Sequence, residues 1–265
     1  MEARAAASPE ADSAVLADLR RALRMQKFFA QMFVIPTYLL VWSWMRFIMG
    51  YRIRDLRKIR EHIATIRSQG DPEAPFLICS NHLTMIDSFL VIWSLGSCPH
   101  YLQRFRHFPW NLPEKGNFSG NLAIRVLCYL GKCIPVIRQG PREEVRRMFE
   151  KILFLFQEGE YVMVFPEGGR SRSGRVDTDR CTYGVGQMLR DHPGLRVLSL
   201  YIRGDSQETY SYFPKRKETF SVSLEEIYPR TSQRGLRASR DLSLQIMNHL
   251  VSQEESWLQR NRQQP

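Results

Sequence analysis

Apolar positions along the chain change period several times, and the changes mark out an alternation of strands and helices. The run "FLICS" (76 to 80) has the length and continuity of a strand buried on both faces, and "IDSFLVIWSL" after it reads as a helix. "KCIPVIR" (132 to 138) is strand-like, and Pro135 within it predicts an edge position or an irregular end. From Gly140-Pro141 a helix is predicted, because Val145, Met148, Phe149, Ile152, Leu153 and Phe156 recur at three and four before Gly159 closes it. The strand "YVMVF" (161 to 165), a helix near "YGVGQMLRD" (183 to 191) and the strands "LRVLSLYI" (195 to 202) and "ETFSVSLEEI" (218 to 227) follow. A helix around Leu242 to Leu258 ends the pattern. This predicts an α/β fold, a single mixed sheet flanked by helices, over residues 71 to 265.

The N-terminal part follows another rule. Phe28 to Met45 is 18 residues without a charge, about 27 Å if it were one helix, which is marginal for crossing a bilayer. Pro36 near its middle predicts a break, and Tyr38, Trp42 and Trp44 favour the headgroup level. A membrane-associated helical hairpin is therefore expected within a basic segment, residues 14 to 70, after a disordered N-terminus of residues 1 to 13.

Charge sharpens the expectation. Residues 20 to 67 hold 11 Lys or Arg against Asp55 and Glu61, so most of the net charge of +11 lies in this stretch and must face something negative. Basic flanks on both sides disfavour a simple crossing, and an anionic lipid surface is the expected partner. Nucleic acid is not expected, because the cations lack the aromatic interleaving of a single-strand binding surface. The 5 cysteines contain no C-x-x-C pair and read as reduced, which puts the chain on the cytoplasmic face of a membrane, monotopic or single-span through residues 28 to 49. No zinc-ligand spacing is present.

Three strand ends carry candidate chemistry. "NHLTMID" (81 to 87) follows "FLICS". His82 is a natural proton acceptor near neutrality, and Asp87 can hold its tautomer. Five residues of continuous helix turn through about 500°, so His82 must lie in a turn, with Asp87 in the first helical turn reaching back. Arg138 ends "KCIPVIR". "FPEGGRSRSGR" after the third strand joins a glycine pair to Arg170, Arg172 and Arg175, a combination suited to phosphate oxygens. G-x-S-x-G is absent and Cys79 reads as core packing, so direct attack by an activated hydroxyl is expected rather than a covalent intermediate.

The ordered set "NHLTMID", "GKCIPVIR" and "FPEGGRS" resembles the glycerolipid acyltransferase family: lysophosphatidic acid acyltransferases, glycerol-3-phosphate acyltransferases and tafazzins. The likeness covers about residues 76 to 203. It implies that His82 and Asp87 are the catalytic pair, that Arg138 holds the acceptor's phosphate, and that Glu167, Gly168 and Arg170 shape the acceptor site. The implied reaction moves a fatty acyl group from acyl-CoA or acyl-carrier protein to a lysophospholipid hydroxyl, lysophosphatidic acid foremost. It requires no metal or prosthetic group. Gly169 replaces a common Thr, Ser199 replaces the usual Pro of a fourth block, and "LGKCIPVIR" with "GEYVMVFPEG" is nearer the tafazzin branch. The alternatives are thus a tafazzin-like transacylase between phospholipids and, from another class, a non-catalytic membrane or nucleic-acid binding protein.

Overall fold

The computed structural model describes residues 9–118, 121–137 and 140–262. Six strands form one mixed sheet in the order β1-β6-β5-β2-β4-β3, with β1 Arg52–Ile53, β2 Phe76–Ser80, β3 Trp110–Asn111, β4 Val162–Val164, β5 Arg196–Gly204 and β6 Thr219–Ile227. All neighbours are parallel except β5 and β6. β2 lies between β4 and β5 and is buried along its whole length, which is why its sequence runs apolar without alternation. Phe76 and Ile78 enter one core with Leu90, Trp93 and Tyr101, while Leu77 and Cys79 enter the other with Ile152, Phe156 and Ile246. That period of two divides the helices into two layers. The first face carries α3 Leu56–Ser68, α4 Asp87–Leu95 and α5 Cys98–Gln103; the second carries α7 Arg142–Gln157, α8 Gly184–Asp191 and α9 Gly235–Arg262.

Several boundaries differ from those expected. The described residues of "KCIPVIR", 132 to 137, form no strand. They lie beside the sheet edge through isolated bridges from Cys133 to Asn111 and from Val136 to Glu114. Ile134 and Val136 donate to Asn111 O and Pro113 O, both at 2.9 Å, and Pro135 between them has no amide to extend the ladder. The edge strand is instead β3, which the hydrophobic pattern did not mark. The segment 14 to 70 is also not separate from the α/β domain. β1 pairs with β6, and α3 buries Ile59, Ile63 and Ile66, spaced at four and three, against the sheet.

The N-terminal helices are α1 Pro9–Met32 and α2 Val34–Ser43, the latter continued by a π-helical turn Trp44–Ile48. Residues 9 to 13 of the expected disordered N-terminus are thus helical, and residues 1 to 8 lie outside the described residues. Residues 14 to 32 and 34 to 48 meet at a 63° bend, an elbow rather than a closed hairpin. The break falls at Phe33 and not at Pro36. Pro36 sits in the first turn of α2, where a helix offers no acceptor for its missing amide proton, and Thr37 N to Phe33 O at 3.0 Å is already helical. Among the described residues no single helix is long and apolar enough to cross a membrane, though the bent pair has the composition to do so. One side of the elbow packs on the protein through Val34, Tyr38, Val41 and Met45, and the other exposes Phe28, Met32, Leu40, Phe47 and Ile48.

Candidate active site

The turn after β2 is built by its own polar side chains. Asn81 accepts from Ile202 N at 2.8 Å and donates to Ile202 O at 2.9 Å, so it extends the β2–β5 pairing by one side chain and sets the exit direction of the chain. His82 lies in the turn, and Asp87 is the first residue of α4. The Asp87 carboxylate reaches back to accept from His82 Nδ1 at 2.9 Å, Leu83 N at 2.6 Å, Thr84 N at 2.8 Å and Thr84 Oγ1 at 2.5 Å. Four donors thus converge on one carboxylate at the start of a helix, which fixes its orientation toward the histidine. With Nδ1–H donated to a carboxylate, the imidazole presents its Nε2 lone pair as the base.

The third strand end closes over this turn. Glu167 Oε1 accepts from His82 N at 2.9 Å and Oε2 from Asp177 N at 3.4 Å, while Ser171 N donates to His82 O at 2.8 Å. Both oxygens of Glu167 therefore bind backbone, and its burial pushes its pKa up to about 8 against those two donors. Gly168 has φ +65°, and a Cβ there would lie 2.3 Å from Thr182 Cγ2. Only glycine fits that turn. The His82 ring stacks on Phe165 at 4.1 Å and 19°.

Arg170 lies between two rings, 5.2 Å from Tyr210 and 5.1 Å from Tyr212, and its Nη1 is buried with no hydrogen-bond partner among the described residues. The structure therefore brings His82, Asp87, Glu167, Gly168 and Arg170 together. Arg138 lies outside the described residues. The pattern did not single out Asn81, Thr84, Phe165, Tyr210 or Tyr212. Thr84 alone had a local signal, three residues before an aspartate at a helix start.

His82 and Arg170 line a cavity of about 500 Å³, predominantly apolar, whose walls come from α2 (Tyr38, Val41), α4 (Phe89, Ile92) and α6 Leu122–Leu130 (Leu127). The polar groups that reach it are few, among them Ser88 and Asn111, themselves joined at 2.9 Å. Such a shape suits a long apolar ligand with its reactive end at the histidine. Cys79, beside the turn, is no nucleophile: it is fully buried and its burial pushes the thiol well up.

A family model described as Acyltransferase matches residues 52–203, more than half of the chain. The chain belongs to the acyltransferase family. That span starts at β1 and ends within β5, and it contains the whole constellation around His82. No curated protein matches the chain by sequence. Among solved structures, the acyltransferase is similar to the 1-acyl-sn-glycerophosphate (LPA) acyltransferase PlsC from Thermotoga maritima, at 14% identity and a TM-score of 0.44 over 87% of this chain and 95% of that one. The enzyme is thus an acyltransferase with a six-stranded mixed sheet flanked by helices.

Proposed function

We propose that this acyltransferase moves a fatty acyl group from acyl-CoA or acyl-carrier protein to the free hydroxyl of a lysophospholipid, lysophosphatidic acid foremost, on the cytoplasmic face of a membrane. One observation carries the reading: the imidazole tied to Asp87 lines an apolar cavity of about 500 Å³ that the N-terminal helices help to wall. A base that served a small polar acceptor and a small acyl group would need no such cavity.

In this mechanism Nε2 of His82 takes the proton of the acceptor hydroxyl as its oxygen attacks the thioester carbonyl. Asp87 keeps the imidazole in the required tautomer and stabilises the imidazolium that forms. The tetrahedral intermediate collapses with cleavage of the C–S bond, and the departing thiolate takes the proton back from His82. The acyl chain lies in the cavity. Arg170, with a guanidinium nitrogen lacking a partner among the described residues, and Arg138 supply positive charge for the acceptor's phosphate, while Glu167 and Gly168 hold the turns in register. The exposed apolar side of the elbow rests in the lipid surface, where acceptor and product reside.

Incubating the purified protein with radiolabelled acyl-CoA and a panel of lysophospholipids tests this. Label in phosphatidic acid, lost with His82→Ala, is the expected result. Transfer only from intact phospholipid to lysophospholipid would replace it with a transacylase.

A further inference from the structure

The segment "YSYFPKRK" (210 to 217) places three aromatic residues before three cations with no acid among them. Tyr212 and Phe213 are exposed, as are Lys215, Arg216 and Lys217. Two sets of contacts hold the segment. Toward the catalytic turn, Met85 N donates to Tyr212 O at 3.1 Å and Ser211 N to Leu83 O at 3.4 Å. Toward the end of the N-terminal elbow, the Phe213 ring meets Trp44 edge-on at 5.8 Å, Arg216 Nη2 donates to Ile48 O at 2.7 Å and Lys217 N to Met49 O at 2.7 Å.

These contacts merge two segments far apart in sequence into one surface. Phe47 is 71% exposed, Ile48 57% and Tyr212 60%, and the cations Lys215, Arg216 and Lys217 follow directly. Trp44, Met85 and Phe213 of this surface also line the cavity, so the surface borders it. Exposed apolar tips, aromatic rings and positive charge side by side match the acyl boundary, headgroup and anionic surface of a lipid leaflet.

We propose that residues 210–217 form a second membrane-contact element, which docks on an anionic lipid surface beside the elbow. The inference rests on the membrane reading above and adds a charge-selective site on the sheet domain itself. Two contacts, one in the elbow and one pinned to the catalytic turn, fix how the molecule is tilted and hold the cavity entrance at headgroup depth. An acidic protein would use the three cations but would leave Phe47 and Ile48 in water.

The test uses the full chain and the double variant Lys215→Gln with Lys217→Asn. This leaves the Arg216 hydrogen bond in place and respects the positive φ of 61° at Lys217, which asparagine tolerates. Flotation is measured with vesicles of phosphatidylcholine alone and of phosphatidylcholine mixed with phosphatidylserine. Turnover is measured with water-dispersed short-chain lysophosphatidic acid and short-chain acyl-CoA. At about a fivefold contribution per cation near the surface, binding to the mixed vesicles is expected to fall roughly thirtyfold. Binding to phosphatidylcholine and short-chain turnover should both be retained. Unchanged binding to the mixed vesicles overturns the proposal. So does a parent protein that ignores phosphatidylserine yet is retained on polyglutamate, which would favour an acidic protein partner. If the parent binds both vesicle types equally, only the charge-selective element has failed. If it binds neither, the membrane reading has failed with it, while acyl transfer to lysophosphatidic acid in detergent still stands or falls separately.

Discussion

At the scale of single residues, His82 and Asp87 carry different burdens. The His82 side chain is 17% exposed at the cavity, and its ring is braced rather than packed into the core. His82→Ala should therefore cost about a hundredfold to ten-thousandfold in kcat while leaving the melting temperature nearly unchanged, read by turnover alongside thermal denaturation. Asp87 faces four donors at once. An amide cannot accept from them all, so Asp87→Asn should lose turnover and also about 1 to 3 kcal/mol of stability. The two variants are separated by the melt, not by the assay.

Glu167 makes a pH prediction. Burial raises its pKa from 4.5 to about 8, so the folded protein keeps a proton there that the unfolded chain has released. Its contribution to stability is complete below about pH 4.5 and disappears as pH rises through about 8. Glu167→Gln keeps an acceptor for His82 N but does not titrate. Melting temperatures across that range should slope downward less in the variant than in the parent. Equal slopes would mean that Glu167 is ionised throughout.

Among the elements, α1 decides whether the N-terminal segment is an appendage or part of the fold. Lys27 on α1 meets Glu160 at 2.5 Å, and Glu160 in turn meets the fully buried Lys132 at 2.5 Å and accepts from Trp110 Nε1 at 2.9 Å. Burial lowers Lys132 to about 8 despite the carboxylate beside it. Burial raises Glu160, but Lys132 and Lys27 outweigh it and hold the acid below its ordinary value. Both partners are thus charged at neutral pH. Gln26 adds bonds from its Nε2 to Tyr129 O and Cys133 O, each 3.0 Å, which tie α1 to α6 and to the segment leading to Arg138. Glu160→Ala would strand a buried ammonium and should cost about 3 to 5 kcal/mol in chemical denaturation. Replacing Glu160 and Lys132 together by methionine should cost much less. A similar loss in both would show that packing, not charge, dominates this site.

For the whole molecule, the elbow is both a wall of the cavity and the outer surface. The sequence suggests that deleting residues 1 to 50 releases the enzyme from anionic vesicles. The structure adds a cost to the fold, because Val34 and Met45 lie in the core and Tyr38 and Val41 line the cavity. The deletion should aggregate or lose cooperative melting. Phe47→Ser with Ile48→Ser is the cleaner perturbation. Both side chains are exposed, so stability should change by no more than about 0.5 kcal/mol for each. Flotation with neutral vesicles should nevertheless fall at least about tenfold, as two large apolar groups no longer leave water. Undiminished flotation would exclude the elbow tip from the proposed lipid contact.

Much was determined locally. The continuous apolar run of β2, the three-and-four spacing of α7 and the requirement that Asp87 reach back from a helix start follow from periodicity and bond geometry, which neighbouring residues set among themselves. The order of the three blocks carried the resemblance to the glycerolipid acyltransferases, and the family match over residues 52–203 agrees with it. Other features depended on which segments meet. Pro135 could not reveal that "KCIPVIR" gives up the edge to β3, and Pro36 could not reveal that the break falls at Phe33, because each outcome depends on acceptors supplied from elsewhere or already absent. The apolar wall of α2, the rings around Arg170 and the joining of residues 210–217 to the elbow involve residues up to about 170 positions apart. Periodicity reports which face of an element is apolar, but what that face meets is decided only when the sheet brings distant segments together.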